Sequence, residues 1–373
     1  MSALQETSLQ VILDNQSSSG AFLASPNFPT YRYAWLRDGS FCAYALDLWG
    51  QNQRADNFHA WVFAVLERYR DKLQHVLECQ RQGIALPAGQ YFHSRFTIEG
   101  EEIPGNWGHH QLDGLGTWLW ACCRHFQAQG KVPQAKQRRS LTLARDYLLA
   151  LWRQPCSDCW EEHEDQMHTY SLAAVAAGLE ALGELLEDAL AARAAIQIRQ
   201  FILASAVEGG RLVKSLGNPQ VDANLIALAT PFRVAAYHSP IMQKTLERIR
   251  SQLASPEGGL KRYASDTYYG GGEWVLLAAW LGWAACEAGD RQTAGRQLAW
   301  VAAQADAHGY LPEQVSRHLN APAYYDEWVA RWGAVASPLL WSHAQYLILL
   351  KAVERSAAAG SQTADKIGKT RQA

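Results

Sequence analysis

The sequence has no excess of charge of either sign and no long uninterrupted run of apolar residues. Its 373 residues include 34 Lys and Arg against 36 Asp and Glu, a formal net charge of −2. Without a basic surface there is little to attract phosphates, so no nucleic-acid partner is expected. No window of about 18 consecutive apolar residues occurs, so no membrane span is expected. The first residues also lack the basic and then apolar pattern of a signal peptide.

Cysteines and metal-binding motifs are also few. The seven cysteines are an odd number in a long chain, which predicts reduced thiols in the cytoplasm rather than a disulfide framework. Cys156 and Cys159 form one CxxC pair without the second pair of a zinc ribbon. His163 and His168 are five residues apart, whereas two zinc ligands on one helical face need a spacing of about four. We therefore expect no metal and no other cofactor.

The sequence does contain strong helical periodicity. Apolar residues recur at three- and four-residue spacing, as at Leu172, Val175 and Leu179, which is the pattern of amphipathic helices. Alternation typical of strands is nearly absent, and no fixed repeat indicates a solenoid. The predicted helices cover residues 39–49, 55–78, 112–128, 136–153, 168–186, 189–206, 240–253, 273–288, 291–306 and 338–355.

The chain reads as one domain. No linker rich in Pro, Gly or Ser interrupts residues 20–355, so a single domain over residues 1–355 is predicted. Residues 356–373 are rich in small and polar residues without periodicity, which predicts a disordered C-terminal tail.

Aromatic residues are abundant and concentrate between the predicted helices. The 15 Trp and 15 Tyr residues suit either a protein core or a carbohydrate-binding cleft. Loops on a rigid helical frame usually carry function, which favours the cleft. Five loop clusters combine aromatic rings with charged side chains, and they lie at residues 31–40, 106–114, 159–168, 261–274 and 309–315.

The residues alone leave two interpretations of these clusters open. Asp38 is either the N-cap of the following helix, with Arg37 as its surface ion partner, or part of an Arg–Asp pair that binds vicinal sugar hydroxyls. In the second case Trp35 would stack on the sugar ring. Likewise, the carboxylates at residues 161–165 are either a solvated turn or include a proton donor whose pKa is raised by the indole of Trp160.

Together and in this order, the five clusters resemble glycoside hydrolase family 15, from about Tyr31 to about Leu350. That family includes glucoamylases, glucodextranases, bacterial trehalases and isomaltose glucohydrolases. The resemblance implies an all-α fold, the (α/α)6 barrel, in which two concentric rings of helices carry a funnel of loops at one end.

The resemblance also implies a role for individual residues. Trp160-Glu161-Glu162 is similar to the family segment whose first glutamate is the general acid, which assigns that role to Glu161. Pro312-Glu313-Gln314 is similar to the segment of the general base, which assigns that role to Glu313. The substrate-binding residues implied by the matching segments are Tyr33, Trp35, Arg37, Asp38, Trp107, Trp160, Glu162, Arg262, Tyr268 and Trp274.

The implied mechanism inverts the anomeric configuration. Glu161 has to be protonated, helped by burial beside Trp160 and Trp107, whereas Glu313 has to be ionised so that it can activate a water. The two carboxyl groups are then expected about 6.5–9.5 Å apart to admit that water.

The implied reaction is the release of β-D-glucose from the non-reducing end of short α-gluco-oligosaccharides of the isomalto- or malto-type. Isomalto-type substrates are favoured because the layout without accessory modules resembles isomaltose glucohydrolase. The alternatives are a trehalase of the same family and, in another class, a non-catalytic sugar-binding or regulatory barrel. We expect a cytoplasmic monomer or weak homo-oligomer whose partner is a small oligosaccharide. His109, His110 and the aromatic loop 315–335 are expected to line the outer subsites.

Overall fold

The computed structural model describes residues 3–105 and 107–370. Within those residues, thirteen α-helices account for most of the fold: α1 (Ala3–Asp14), α2 (Leu36–Leu48), α3 (Asn52–Arg68), α4 (Arg70–Arg81), α5 (Leu112–Ala128), α6 (Ala135–Leu151), α7 (Thr169–Leu186), α8 (Ala189–Ser205), α9 (Pro240–Leu253), α10 (Val275–Glu287), α11 (Arg291–Ala302), α12 (Ala323–Trp332) and α13 (Leu340–Thr370). Short 3-10 helices lie at Pro29–Tyr31, Ala88–Gln90, Ala223–Leu228 and Tyr268–Gly270.

The strands are two residues long and form three antiparallel pairs. They are β1 (Ala34–Trp35) with β2 (Arg95–Phe96), β3 (Val207–Glu208) with β4 (Arg211–Leu212), and β5 (Glu273–Trp274) with β6 (Gln314–Val315). β1 leads directly into α2 and β5 directly into α10, so these pairs fix the entry of the chain into two helices.

The helices form two concentric rings. The inner ring runs from α2 to α5, α7, the 3-10 helix Ala223–Leu228, α10 and α13, and α13 returns to α2 and closes it. The outer helices α1, α3, α6, α8, α9 and α11 pack on α13, α2, α5, α7, the 3-10 helix and α10, respectively. Inner and outer segments alternate along the chain, so the predicted all-α (α/α)6 barrel is confirmed.

The sequences of the two rings differ as their positions require. All residues of α10 from Val275 to Cys286 are buried, as expected for a helix surrounded on every side. α7 is long and apolar enough to cross a membrane, but 78% of it is buried inside the fold, which its place in the inner ring explains. The outer helix α9 is amphipathic and buries only one side, with Ser239 as its N-cap and Pro240 in its first turn.

The close approach of α5 and α7 depends on glycine. A Cβ added at Gly178 in α7 would lie 2.4 Å from the carbonyl oxygen of Gly116 in α5. A Cβ at Gly116 would in turn lie 2.7 Å from the backbone of Ala174. Side chains at either position would therefore separate α5 from α7.

Aromatic side chains fill the axis of the barrel. The ring centroid of Phe41 lies 5.5 Å from that of Trp280, 5.7 Å from Trp341 and 6.0 Å from Trp120. Tyr170 packs against Trp280 at 5.8 Å. The interior of the barrel is thus a packed core and not a channel.

Three helical predictions need correction. The predicted helix 55–78 is two helices, α3 and α4, which are divided at Tyr69, where the phenolic oxygen accepts a hydrogen bond from the Glu102 backbone N–H at 2.7 Å. The sequence pattern does not predict α1. It also predicts a loop where α12 lies, because the aromatic residues of α12 follow no regular spacing.

α13 is described as far as Thr370 and so includes most of the segment 356–373, for which the sequence predicts disorder, and residues 371–373 lie outside the described residues. Ala357 and Ala358 have the highest helix propensity of any residue type, which favours continuation of the helix.

Candidate active site

A cavity opens at the end of the barrel where the inner helices α2, α10 and α13 begin. Its volume is about 340 Å³, within the range of small-molecule sites and near its lower end. Of the predicted site residues, the cavity is lined by Trp35, Arg37, Asp38, Trp107, Trp160, Glu161, Glu162, Arg262, Tyr268, Trp274 and Glu313. Segments that are far apart in the sequence are therefore brought together in one cavity.

Tyr33 is the predicted site residue that the cavity lining does not include. Its ring lies 5.1 Å from the guanidinium of Arg95. Tyr31 lines the cavity instead. Tyr31 is the last residue of a 3-10 turn, and β1 begins only at Ala34. The alternating side-chain directions of a strand therefore do not apply to Tyr31 and Tyr33. Substrate binding by Tyr33 therefore stays a prediction that the cavity lining does not support.

Glu161 is surrounded by side-chain donors. Its Oε1 accepts hydrogen bonds from the indole of Trp35 and, at 3.3 Å, from Nε2 of Gln111. Its Oε2 accepts one from the indole of Trp107. These donors fix the direction of the carboxyl group.

The loop that carries Glu161 is held by a buried network of charges. Glu161 has a φ of 70°, a left-handed conformation that is unfavourable for a residue with a Cβ. Asp158 stabilises the turn, because its Oδ1 accepts from the backbone N–H groups of Trp160 at 2.9 Å and Glu162 at 3.0 Å.

Lys214 connects this loop to the rest of the barrel. Its ammonium lies 3.0 Å from Asp158 and 2.7 Å from Asp222, and all three side chains are buried. Asp222 also accepts from the indole of Trp160 at 2.9 Å. Burial alone would raise the pKa of Asp158, but Lys214 outweighs it and lowers that pKa below its usual value.

Glu313 lies in a different environment. It is 2% exposed, and its Oε1 accepts a hydrogen bond from the Tyr31 hydroxyl at 2.9 Å. Its Oε2 has no hydrogen-bond partner among the described residues. Burial raises the pKa of Glu313 to about 8, although the hydrogen bond from Tyr31 and the charge of Arg262 act in the opposite direction.

The two glutamates are held by neighbouring rings. Trp35 donates to Glu161 and Tyr31 to Glu313, and the centroids of these two rings are 5.6 Å apart in an edge-on arrangement. Burial favours a protonated Glu313, whereas a general base has to be ionised.

Arg37 and Asp38 lie at the base of the cavity. Arg37 Nη1 donates to Gln111 at 3.0 Å and to Asp113 at 3.1 Å, and its Nε lies 3.3 Å from Asp38. Burial raises the pKa of Asp38 to about 6, against the lowering effect of Arg37. α2 begins at Leu36, so Asp38 lies in its first turn. The interpretation of Asp38 as the N-cap was therefore wrong.

Arg262 forms the opposite wall. It binds Asp266 through two parallel hydrogen bonds of 2.7 and 2.6 Å, a bidentate arrangement that fixes the plane of the guanidinium. Its Nη2 also lies 3.2 Å from Glu162. The rings of Trp160 and Trp274 lie 5.3 and 5.1 Å from its central carbon. A planar cation among aromatic rings is typical of a polyol pocket.

The outer part of the cavity matches the predictions only in part. Trp328 and Trp332 of α12 line the cavity, as predicted for the aromatic loop 315–335. His109 and His110 do not line it. Both are buried, and His109 stacks on His93 and His110 on Tyr91, each with centroids 3.9 Å apart.

Sequence reasoning missed the residues that act through others. Tyr31 lies in the first of the five clusters. The sequence hints at its role only through its hydroxyl group, which could donate to a carboxylate. Arg95, which stacks on Trp107 at 3.7 Å, and Lys214 lie outside the five clusters and carry no signal in the sequence.

Two groups of side chains among the described residues could hold a metal ion. They are Asp47, His59 and His125 in one place and Glu257, Glu273 and His318 in another, each with ligand atoms within 4.8 Å of one another. Neither group lines the cavity.

Comparison with known proteins agrees with this geometry. The family model for glycosyl hydrolases family 15 matches residues 1–334. The isomaltose glucohydrolase of Kribbella flavida is 42% identical over 346 residues, which cover 91% of this chain and 89% of the relative. Among solved structures, a glycosidase variant in complex with glucose has a TM-score of 0.91 and 40% identity, over 94% of this chain and 96% of the other.

A bacterial glucoamylase solved with acarbose shares the fold. Its TM-score is 0.74 at 18% identity, and the match covers 95% of this chain and 56% of the glucoamylase. The resemblance predicted from the five loop clusters is thus confirmed by the family model, by a relative of similar length and by the barrel itself. The chain belongs to glycosyl hydrolases family 15 and is a glycoside hydrolase.

Proposed function

We propose that this protein is an exo-acting, inverting α-glucosidase that releases β-D-glucose from the non-reducing end of short isomalto-oligosaccharides. The observation that carries the proposal is the cavity itself, in which Glu161 and Glu313 are held by adjacent rings beside the buried Arg37–Asp38 pair. The packed barrel axis closes the base of the cavity, and loops surround it. A cavity of this shape can bind the end of an oligosaccharide but not the middle of a polymer.

Glu161 acts as the general acid in this proposal. Three side-chain donors aim its carboxyl group, and the buried network of Lys214 fixes the loop that carries it. In this role Glu161 gives its proton to the departing glycosidic oxygen.

Glu313 acts as the general base. Its Oε2, which has no partner among the described residues, is free to accept a hydrogen bond from the attacking water. That water and positive charge developing at the anomeric carbon both favour the carboxylate form of Glu313. Tyr31 holds the other oxygen of Glu313 and so directs Oε2 toward the water.

The isomalto-type preference rests on the relative of similar length. The isomaltose glucohydrolase is 42% identical and covers nearly the whole chain. Trp328 and Trp332 at the outer part of the cavity provide aromatic surfaces for a second sugar.

The reaction is tested by incubating the protein separately with isomaltose, maltotriose and trehalose and by following the first product with proton NMR. Isomaltose should be cleaved fastest, and β-glucose should appear before mutarotation. Initial α-glucose from isomaltose would contradict inversion. Trehalose as the best substrate would establish the trehalase alternative.

The catalytic roles are tested with Glu161→Gln and Glu313→Gln. Each variant should lose on the order of 10²-fold or more in kcat, because a positioned acid or base contributes at least that much. Glu327→Gln, an exposed substitution on α12, is the matched control and should retain full activity. Unchanged hydrolysis in both cavity variants would contradict the roles. Sugar binding without hydrolysis by the unmodified protein would establish the non-catalytic alternative.

We also propose that the protein acts in the cytoplasm, as a monomer or weak homo-oligomer, with the oligosaccharide as its partner and no role for nucleic acids or membranes. All seven cysteines are buried and free, which suits a reducing compartment. The formal net charge of −2 gives little attraction for phosphates. Light scattering coupled to size-exclusion chromatography tests the oligomeric state, since a stable dimer at micromolar concentration would contradict it.

A further inference from the structure

We propose that Asp47, His59 and His125 form a binding site for a divalent transition metal, with Zn²⁺ as the best match to their donor atoms. The site lies at the far ends of inner helices from the cavity. Asp47 is close to the C-terminal end of α2, about 15 Å along the helix from Arg37, and His125 is in the last turn of α5. The proposal does not depend on the proposed function.

The donor atoms are already close together. One donor atom from each of the three residues lies within 4.8 Å of the other two. The Nδ1 of His125 is 2.9 Å from the Asp47 carboxylate. Ligands at about 2.0–2.2 Å in a tetrahedral zinc site lie about 3.3–3.6 Å from one another, so small side-chain movements suffice. Two imidazoles and one carboxylate are a set that zinc accepts, with a fourth position for water.

His59 gives an independent reason to expect a ligand. It is 2% exposed, and neither ring nitrogen has a hydrogen-bond partner among the described residues. An unpaired polar group in the core is costly, and a metal bond would satisfy one nitrogen.

His125 has a hydrogen-bond partner of the kind that orients metal-binding histidines. Its Nε2 lies 2.9 Å from Asp56, and Asp56 in turn accepts from Lys131 at 2.7 Å. Metal-binding histidines commonly donate their second N–H to a carboxylate in this way. On binding, the metal would displace the proton from Nδ1 of His125 while the proton on Nε2 remains shared with Asp56.

The experiment uses the full chain without a histidine tag, stripped with EDTA and dialysed against ZnCl₂. Elemental analysis should find one zinc per chain. At a hundredfold excess over Kd, zinc should raise Tm by about 3–4 °C. Co²⁺ in place of zinc should give the visible absorption of a tetrahedral site. An unmodified protein that binds no zinc overturns the proposal.

Two variants and one control locate the metal. His59→Leu and Asp47→Asn should each lose the bound zinc and its effect on Tm, and both should keep hydrolytic activity because the site is far from the cavity. His318→Ala removes the histidine of the other candidate group and should bind zinc as before. Zinc retained in His59→Leu, or lost in His318→Ala, overturns the assignment. If His59→Leu does not fold, Asp47→Asn and the Co²⁺ spectrum still decide it.

Discussion

Glu313 is the residue at which the demands of folding and of the proposed chemistry conflict most directly. Its carboxyl group is buried, one oxygen is bound by Tyr31, and the other has no partner among the described residues. A carboxylate in such a place destabilises the folded chain, yet a free oxygen is what a general base needs. Functional sites commonly carry local costs of this kind.

This cost predicts that Glu313→Gln stabilises the protein at neutral and alkaline pH. The folded-state pKa of about 8 lies above the ordinary value of 4.5. Between these values the folded chain binds more protons than the unfolded chain, so the glutamate makes stability fall as pH rises. The Tm of Glu313→Gln should exceed that of the unmodified protein most at pH 8, and the difference should disappear near pH 4. Glu327→Gln should show no such trend, and a difference that stays constant across pH would rule out ionisation of the buried Glu313 as its cause.

Tyr31→Phe should move the acidic limb of the kcat/KM profile to higher pH. The Tyr31 hydroxyl donates to Glu313 and lowers its pKa, so its removal raises the pH at which the proposed base ionises. The displacement should be on the order of one pH unit. Tyr33→Phe, outside the cavity lining, is the matched control and should leave the profile unchanged. A limb that stays in place or moves to lower pH would show that Glu313 does not govern it.

The choice between Tyr31 and Tyr33 also shows where sequence reasoning ended at this scale. The resemblance of the five loop clusters to the family implied eleven of the residues that line the cavity. That resemblance did not distinguish two tyrosines separated by one position, because the direction of each side chain depends on a 3-10 turn that the sequence did not signal.

At the scale of elements, the loop between α6 and α7 depends on charges from elsewhere. Asp158 and Glu161 are on the loop, whereas Lys214 follows β4 and Asp222 precedes the 3-10 helix Ala223–Leu228. Three segments therefore fix the position of one glutamate. Buried charges of this kind specify a geometry more than they add stability.

Lys214→Met should lower both activity and stability. Without the ammonium, Asp158 and Asp222 are left as unpaired buried charges, which costs about 3–5 kcal/mol. The loop that holds Glu161 loses its anchor, so kcat should fall at least about tenfold at a temperature where the variant is folded. Lys72→Met removes a more exposed ion pair with Glu102 and should change kcat by less than about twofold. A folded Lys214→Met variant with unchanged kcat would show that the network does not position the acid.

Elements with regular apolar periodicity were predicted well, and irregular ones were not. α5 was predicted at its observed bounds, Leu112–Ala128, because its apolar residues are periodic. α12 has no buried residue and rests on the aromatic rings of Tyr268 and Tyr269. Its helical state depends on those tertiary contacts, which local periodicity does not encode.

At the scale of the whole molecule, closure of the inner ring relies on the contact of α5 with α7. Gly116 and Gly178 have no side chains, so the backbones of α5 and α7 can pack closely there. The space between them is too small for one added methyl group. A displacement of α7 would move both the loop before it and α8 outside it, since α7 packs on α5 and α8.

Gly178→Ala should therefore destabilise the barrel. The added methyl group would meet the carbonyl of Gly116, and overpacking of this kind costs about 1–3 kcal/mol. Gly295→Ala in α11 meets nothing within 4 Å and should raise stability by up to about 1 kcal/mol through helix propensity. Thermal unfolding of the two variants compares them, and equal Tm values would contradict the importance of this contact.

The meeting of Glu161 and Glu313 is a property of the whole fold. They come from loops that are far apart in the sequence, and no local pattern predicts that both lie in one cavity. The order of five weak motifs, through their resemblance to a family, predicted that meeting. Asp47, His59 and His125 belonged to no motif, and only the folded barrel brings them together.

The packed axis of the barrel determines how substrate enters the cavity and how product leaves it. Phe41, Trp280 and Trp341 block any exit through the interior, so among the described residues the cavity has one route for entry and departure. Under the proposed reaction, the glucose cut from a chain end is the sugar farthest inside. It must diffuse out before the next chain end can enter, so every cleavage is a separate encounter and accumulating glucose slows the enzyme by occupying the space its substrate needs.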